Sequence, residues 1–333
     1  MTRYVYECLD GHTCGNPVRL IIKGAPDLSG ETMSEKRQDF IQNHDWIRQS
    51  LMYEPRGHDL MSGAILYPST RPECQIAILY IEVSGCLPMC GHGTIGAVTM
   101  AIENNLIETM EDDLVRLDTP AGVVKAHIRR DGDFVDAVRI HNVPSFLAHE
   151  GVKIICPDLG ELEIDIAYGG NFYAIIDPQK NYEGLEAMTA ADILHLSPLI
   201  RDRVNEAIAV VHPLDKTIRG VSHIQWTGAP REAKAQGRNA VFYGANAIDR
   251  SPCGTGTSAR LAQLVAKGRL KSGDDYIHES IIGTLFSARV EEEVMVGNIP
   301  AILPSVEGWA RQTGKNTIFV DDRDPLAHGF QLT

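Results

Sequence analysis

Two of the seven cysteines in this sequence lie in a repeated motif. Cys90-Gly-His-Gly-Thr94 and Cys253-Gly-Thr-Gly-Thr257 share the pattern Cys-Gly-x-Gly-Thr and stand about half the chain apart. An odd number of cysteines, in a chain without a visible secretory signal, favours free thiols over a disulfide framework. The repeat therefore marks Cys90 and Cys253 as candidate reactive thiols. The remaining five are predicted to be packing residues: Cys8, Cys14, Cys74, Cys86 and Cys156.

Each motif precedes apolar residues at helical spacing, which predicts that both cysteines lie at a helix N-terminus. A helix N-terminus lowers a thiol pKa from its ordinary value of about 8.5. Its unpaired N–H groups bind anions such as a carboxylate, and the flanking glycines let the backbone approach a ligand closely.

Two such loops could supply a thiolate on one side of a substrate and a thiol on the other. Inversion of a stereocentre beside a carboxylate needs this pair, because one group removes the proton and another returns it to the opposite face. The N–H donors would stabilise the negative charge that builds on the carboxylate.

Other interpretations of the motifs stay open from the residues alone. A glycine-rich turn before a helix is common. A phosphate-binding loop would need the lysine of GxxxxGK[ST], and a redox pair would need Cys-x-x-Cys; neither is present. A zinc site could be drawn from Cys86, Cys90 and His92 with His12 and Cys14, although a matching second ligand pair is missing.

A second repeated sequence pattern supports an internal duplication. Gly15-Asn16 precedes the first cysteine motif, and Gly170-Asn171 precedes the second. Two matches in the same order predict two related domains that face each other across a cleft. We expect a first domain of residues 1–122, joined by about 312–333 with a strand at Ile318–Val320, and a second domain of residues 123–311.

The elements that position these motifs are predicted from periodicity and indicate a mixed α and β protein rich in antiparallel pairing. Strands are predicted at Val18–Ile22, Ala64–Tyr67, Ile76–Val83, Phe134–Ile140, Leu162–Tyr168, Ala207–Val211, Ala240–Tyr243, Ile277–Ile282 and Ser287–Val296. Helices are predicted at Met33–Leu51, Thr94–Asn104, Thr189–His195, Pro198–Glu206 and Thr257–Lys267.

Charge and hydropathy exclude some classes of function. The formal net charge is −13, which argues against nucleic acid and against an anionic membrane surface as partners. Apolar runs such as Ile76–Ile81 are far too short to cross a bilayer. Without a secretory signal, the cytoplasm is the expected location.

Longer segments resemble a known family. Met89-Cys-Gly-His-Gly-Thr-Ile-Gly96 and Asp249-Arg-Ser-Pro-Cys-Gly-Thr-Gly-Thr-Ser258 look like the two signature motifs of the proline racemase family. Asp10–Pro17 and Gly169–Tyr173 also resemble family segments, and the similarity runs nearly end to end. It implies the α+β fold of diaminopimelate epimerase: two pseudo-symmetric domains, each a curved sheet around a central helix, with the active site between them.

The resemblance also implies a reaction and a substrate class. It implies an isomerase without cofactor or metal that acts on a small molecule, and a homodimer would be unsurprising. Members resembling this chain are proline racemases, 4-hydroxyproline 2-epimerases and trans-3-hydroxyproline dehydratases. The dehydratases typically have threonine in place of the second cysteine, so Cys253 disfavours dehydration. The overall likeness implies epimerisation at C2 of 4-hydroxyproline, with proline racemisation as the alternative.

Site residues follow from the matched positions. Cys90 and Cys253 would be proton acceptor and donor, exchanging roles with direction. Asp249 would pair with the ring ammonium of the substrate. His223 matches a ligand-contacting position and suits a ring hydroxyl. Backbone N–H groups and side chains beside the cysteines would come from Gly91, His92, Gly254 and Thr255.

Overall fold

The computed structural model describes residues 2–332, which divide into two compact units. The first unit runs up to Ile140 and includes the chain from Gly308 onward, and the second is His141–Glu307. Within residues 2–332, no helix is long and apolar enough to span a membrane.

The first unit contains nine strands and three α-helices among its described residues, counting β8, which ends one residue beyond it. The strands are β1 (Arg3–Thr13), β2 (Asn16–Lys23), β3 (Ser62–Tyr67), β4 (Ile76–Glu82), β5 (Gly85–Leu87), β6 (Leu114–Thr119), β7 (Gly122–Asp131), β8 (Phe134–His141) and β18 (Ala310–Asp321). The helices are α1 (Met33–Asp39), α2 (Asp45–Met52) and α3 (Gly91–Glu103).

The second unit contains nine strands and two α-helices among its described residues, counting β17, which ends one residue beyond it. The strands are β9 (Phe146–Cys156), β10 (Gly160–Tyr168), β11 (Phe172–Ile176), β12 (Val221–Gly228), β13 (Gly237–Tyr243), β14 (Ala247–Ile248), β15 (Asp275–Glu279), β16 (Leu285–Val296) and β17 (Ile299–Gly308). The helices are α4 (Ala190–Ala207) and α5 (Gly254–Ala266).

Both units repeat one pairing pattern. In the first, β2 pairs parallel with β3, β3 antiparallel with β4, and β4 antiparallel with β5 and parallel with β6. In the second, β11 pairs parallel with β12, β12 antiparallel with β13, and β13 antiparallel with β14 and parallel with β15. The short strand is followed by a helix in each case. The duplication inferred from the two motifs is therefore a duplication of topology.

Each unit encloses one central helix. Every residue of α3 from Gly91 to Ile102 is buried, as is every residue of α5 from Gly254 to Leu264. A helix buried over nearly its whole length lies inside a core, so its polar side chains need polar partners there. Arg260 of α5 pairs with Asp177, and Gln263 donates to Asp165. The helix α3 packs on β1, β2, β3 and β18, and α5 packs on β9, β10, β11 and β16.

The boundary expected at residue 122 falls elsewhere in the structure. Thr119 and Gly122 face each other across the tight turn of the β6–β7 hairpin, whose hydrogen bonds keep β7 in the first unit. The division lies after Ile140. The strand expected at Ile318–Val320 belongs to β18, which pairs antiparallel with β1.

Three element predictions are wrong in detail. Ala207–Val211 is not a strand, because Ala207 closes α4 and Val211 forms only an isolated bridge with Arg219. The helices expected on either side of Pro198 are one helix, α4, with the proline inside it. The helix expected at Met33–Leu51 is interrupted by a π-helical turn, Phe40–His44.

Candidate active site

Cys90 lies at the start of the central helix of the first unit. It is the N-cap of α3, with extended backbone (φ −141°, ψ 110°), and its Sγ accepts a hydrogen bond from the Gly93 N–H at 3.3 Å. The Thr94 hydroxyl donates to the Cys90 carbonyl at 2.7 Å. The sulfur therefore lies over the helix N-terminus, as the motif predicts.

Two buried polar side chains lie beside the Cys90 sulfur. The thiol donates to Oε1 of Glu82 at 3.0 Å, and Nδ1 of His92 lies 3.6 Å from Sγ. The other ring nitrogen of His92 lies 3.0 Å from the amide nitrogen of Asn16, and Ser84 Oγ donates to Glu82 Oε2 at 3.0 Å. Cys90 thus has a carboxylate and an imidazole within reach of its proton.

Glu82 is a site residue that the sequence analysis missed. It is the last residue of β4 and only 2% exposed, in an otherwise apolar run. Burial of a carboxylate costs free energy unless the group has a partner. A charged residue at the end of an apolar strand, just before the motif, is therefore the sequence signal that indicates Glu82.

Cys253 lies at the start of the second central helix but has a different backbone. Its φ is 64° and its ψ 112°. The Tyr173 hydroxyl lies 3.3 Å from Sγ and 2.5 Å from the Thr255 hydroxyl oxygen. Thr255 Oγ1 is itself 4.0 Å from Sγ. Tyr173 and Thr255 therefore each present a hydroxyl group to this sulfur.

The expectation of a lowered thiol pKa fails at Cys253. Burial raises the pKa of this thiol well above its usual value, and the charge of Asp249 raises it further. Hydrogen bonds from Tyr173, the Gly256 N–H and Thr255 act in the opposite direction without outweighing burial. The desolvation of a fully buried sulfur is a larger effect here than the helix N-terminus.

Asp249 shapes the turn that leads into Cys253. Its Oδ1 accepts from the Ser251 N–H at 2.7 Å and from the Ser251 hydroxyl at 2.8 Å. The Ser251 oxygen in turn accepts from the Cys253 N–H at 3.1 Å. Asp249 is 2% exposed. Asp249 therefore lies in the Cys253 loop, where its hydrogen bonds hold the turn and its charge raises the pKa of the Cys253 thiol.

His223 reaches the Cys253 environment through Tyr173. The two residues are register partners on the parallel strands β11 and β12, with ring centroids 4.7 Å apart. Nδ1 of His223 lies 2.7 Å from the Ser222 hydroxyl. Tyr173, which the sequence analysis quoted only as part of a family segment, therefore links His223 to Cys253 and Thr255.

The glycines of the motifs have distinct roles. Gly91 and Gly254 are the first residues of α3 and α5, and both are buried. A Cβ added to Gly93 would lie 2.8 Å from the Cys90 sulfur, and one added to Gly256 would lie 3.0 Å from the Cys253 sulfur. The second glycine of each motif thus leaves room for the thiol.

The other five cysteines are buried as expected, and burial raises the pKa of Cys8 and Cys86 to about 12. The zinc set drawn from the sequence is not assembled. Within residues 2–332, the group of three metal-ligating side chains with mutually close ligand atoms is Glu82, Cys90 and His92, without Cys86 or His12.

Comparisons with known proteins identify the family of this chain. The proline racemase family model matches residues 8–331. A 4-hydroxyproline 2-epimerase from Ancylobacter novellus is 60% identical over 330 residues, which cover 99% of each chain. The crystal structure of a hydroxyproline epimerase from Agrobacterium vitis, with trans-4-hydroxy-L-proline bound, matches with a TM-score of 0.90 at 30% identity, over 99% of this chain and 95% of that one.

A more distant match concerns the fold alone. A phenazine biosynthesis protein of the PhzF family from Bacillus anthracis has a TM-score of 0.59 at 14% identity, over 96% of this chain and 99% of that one. The predicted α+β fold of the diaminopimelate-epimerase type is confirmed. The family match over nearly the whole chain, together with the full-length relative, shows that this chain belongs to the proline racemase family.

Proposed function

We propose that this chain epimerises 4-hydroxyproline at C2 without a cofactor, using Cys90 and Cys253 as paired acid and base. The observation that carries the proposal is the placement of both cysteines. Each begins a central helix that is buried except at its C-terminal end, and each sulfur has polar side chains within 4.0 Å. A relative 60% identical over its full length is named for this reaction.

The chemistry follows from the local groups. One sulfur, as thiolate, removes the proton from C2, and the other, as thiol, donates a proton to the opposite face. Cys90 can pass a proton to Glu82 or His92, which adjoin its sulfur. Cys253 as thiolate is stabilised by the Tyr173 hydroxyl and the Gly256 N–H. The two protonation states exchange when the reaction runs in reverse.

Substrate binding uses the helix starts. N–H groups at Gly91 and Gly254 face the substrate carboxylate, where negative charge builds in the transition state. His92 and Thr255 contribute side chains beside the two sulfurs. Asp249 pairs with the ring ammonium through a charge-assisted hydrogen bond.

The preference for a hydroxylated ring is assigned to His223. Its imidazole is 4% exposed and packs on Tyr173, next to the Cys253 sulfur. A hydrogen bond between the imidazole and the ring hydroxyl, which proline cannot form, would favour 4-hydroxyproline over proline. The similar protein from Agrobacterium vitis has trans-4-hydroxy-L-proline bound.

The test is isotope exchange in heavy water. With trans-4-hydroxy-L-proline, deuterium should enter at C2 and the optical rotation should change. Cys90→Ser and Cys253→Ser should abolish turnover, since a serine hydroxyl is a far poorer base at neutral pH. Cys74→Ser, at another buried cysteine, is the matched control and should retain activity.

Three outcomes would contradict the proposal. Absence of exchange with any proline derivative would rule out two-base chemistry. Faster turnover of proline than of 4-hydroxyproline would make the enzyme a proline racemase. If 4-hydroxyproline is the preferred substrate, His223→Ala should slow its turnover and leave that of proline unchanged. A product that reacts with o-aminobenzaldehyde would indicate dehydration.

A further inference from the structure

Three potential metal ligands meet at the first cysteine loop. Within the described part of the chain, residues 2–332, ligand atoms of Glu82, Cys90 and His92 all lie within 4.8 Å of one another, and all three residues are buried. They come from the end of β4 and the start of α3, inside one unit. Carboxylate oxygen, thiolate sulfur and imidazole nitrogen are the donor types that Zn²⁺ takes in proteins.

The distances fit tetrahedral coordination. With Zn–S bonds of about 2.3 Å and Zn–N or Zn–O bonds of about 2.1 Å, the S–N and S–O edges of a tetrahedron are each about 3.6 Å. The observed separation of Cys90 Sγ from His92 Nδ1 is 3.6 Å, and that from Glu82 Oε1 is 3.0 Å. For a cation to enter, the Cys90–Glu82 separation has to open by about 0.6 Å, and the ligand atoms of Glu82 and His92 lie within 4.8 Å of each other.

Neighbouring groups can hold the ligands in place. If Nδ1 of His92 binds a metal, its other ring nitrogen carries the proton and needs an acceptor. The Asn16 amide lies 3.0 Å from that nitrogen and can present its oxygen after a flip. Ser84 Oγ donates to the second oxygen of Glu82 at 3.0 Å. Such outer partners are typical of metal sites.

We propose that Glu82, Cys90 and His92 form an inhibitory site for Zn²⁺, with the fourth coordination position left to water or substrate. Binding releases the Cys90 thiol proton to the buffer and holds the sulfur as a metal-bound thiolate. That sulfur can no longer exchange a proton with C2. The loss of activity rests on the proposed function, whereas the binding itself does not.

The second cysteine loop is built differently and provides the control. The side chains near the Cys253 sulfur are the hydroxyls of Tyr173 and Thr255, which are poor zinc ligands. The site should not bind Mg²⁺, because this ion prefers octahedral coordination by oxygen atoms.

The experiment uses the full chain, freshly reduced, and reads binding without reference to activity. Titration with Co²⁺, a spectroscopic substitute for Zn²⁺, should give a thiolate-to-cobalt absorption band that saturates at one equivalent and is displaced by Zn²⁺. Cys90→Ser should abolish the band. Glu82→Gln and His92→Gln should each weaken binding by at least about 10–100-fold, since the loss of an outer partner of a ligand alone costs that much. Cys253→Ser should keep the band although it is inactive.

The outcomes separate the site from the function. Zn²⁺ should inhibit the wild-type enzyme, EDTA should restore it, and Mg²⁺ should do neither. A band that survives Cys90→Ser, or that is lost in Cys253→Ser, would overturn the proposal, as would an active enzyme with no saturable band. A protein that binds one Co²⁺ but shows no exchange at C2 even when metal-free would refute the epimerase function and leave the metal site standing.

Discussion

One added methyl group tests whether the position of the Cys90 sulfur governs the rate. Gly93 lies in the first turn of α3, and a Cβ built on it would lie 2.8 Å from Sγ of Cys90 and 3.3 Å from its Cβ. An ordinary nonbonded contact is about 3.5–4.0 Å, so in Gly93→Ala the sulfur must shift by about 1 Å. A misplacement of about 1 Å at a reacting group costs about 100-fold in rate.

The same change should leave the fold nearly intact. The sulfur ends a short side chain that can rotate about one bond, at a cost of about 0.5–1.5 kcal/mol if it leaves its rotamer. Alanine in a helix gains about 0.5–1 kcal/mol over glycine, which offsets most of that cost. Stability should therefore change by less than about 1 kcal/mol.

Optical-rotation kinetics and thermal unfolding together show whether Gly93→Ala lowers the rate without lowering stability. Gly93→Ala should lower kcat/KM about 100-fold at a nearly unchanged Tm. Gly314→Ala, where the added Cβ meets only Asn316 at 3.8 Å, is the matched control and should keep full activity. Wild-type kcat/KM in Gly93→Ala would refute the reasoning, and so would a loss of activity explained by unfolding.

Three further predictions follow from the second unit. Tyr173→Phe removes a hydroxyl that lowers the pKa of Cys253, so kcat should fall by about 10-fold, the equivalent of about 1.4 kcal/mol; an unchanged kcat would contradict this. Asp249→Asn removes a charge that raises the same pKa, so iodoacetamide should alkylate Cys253 faster at neutral pH, as measured by mass spectrometry. Burial lowers the pKa of His278 to about 3, so the native state stays neutral while the unfolded state takes up a proton below about pH 6.5. The His278 contribution to stability should therefore fall by about 1.4 kcal/mol per pH unit as the pH drops from 6.5 toward 3, and urea unfolding should show a flatter pH dependence in His278→Gln than in the wild type.

The sequence predicts those parts of the site that depend on short-range pattern. Both central helices and the cysteines at their starts follow from local spacing, because glycine and apolar positions there act within a few residues. The α+β class follows in the same way from alternating and apolar runs. A five-residue apolar run such as Ala207–Val211 shows the limit, since it fits a helix end as well as a strand.

The partners of the two sulfurs are not predictable from such patterns. Tyr173 is 80 residues from Cys253 in sequence, and only the parallel pairing of β11 with β12 brings it beside His223. Glu82 meets Cys90 because β5 turns the chain back before α3 begins. Contacts of this kind depend on which face of a strand packs inward, and periodicity alone does not identify the neighbour.

The left-handed backbone of Cys253 bears on how activities diverge within the family. A β-branched residue is strongly disfavoured at a φ of 64°. The resembling dehydratases typically have threonine at this position, so exchanging Cys253 for threonine in this chain would impose about 1–3 kcal/mol of local strain. Cys253→Thr in this chain should therefore lower stability as well as remove the second thiol, unless the Asp249–Cys253 turn adopts another backbone conformation.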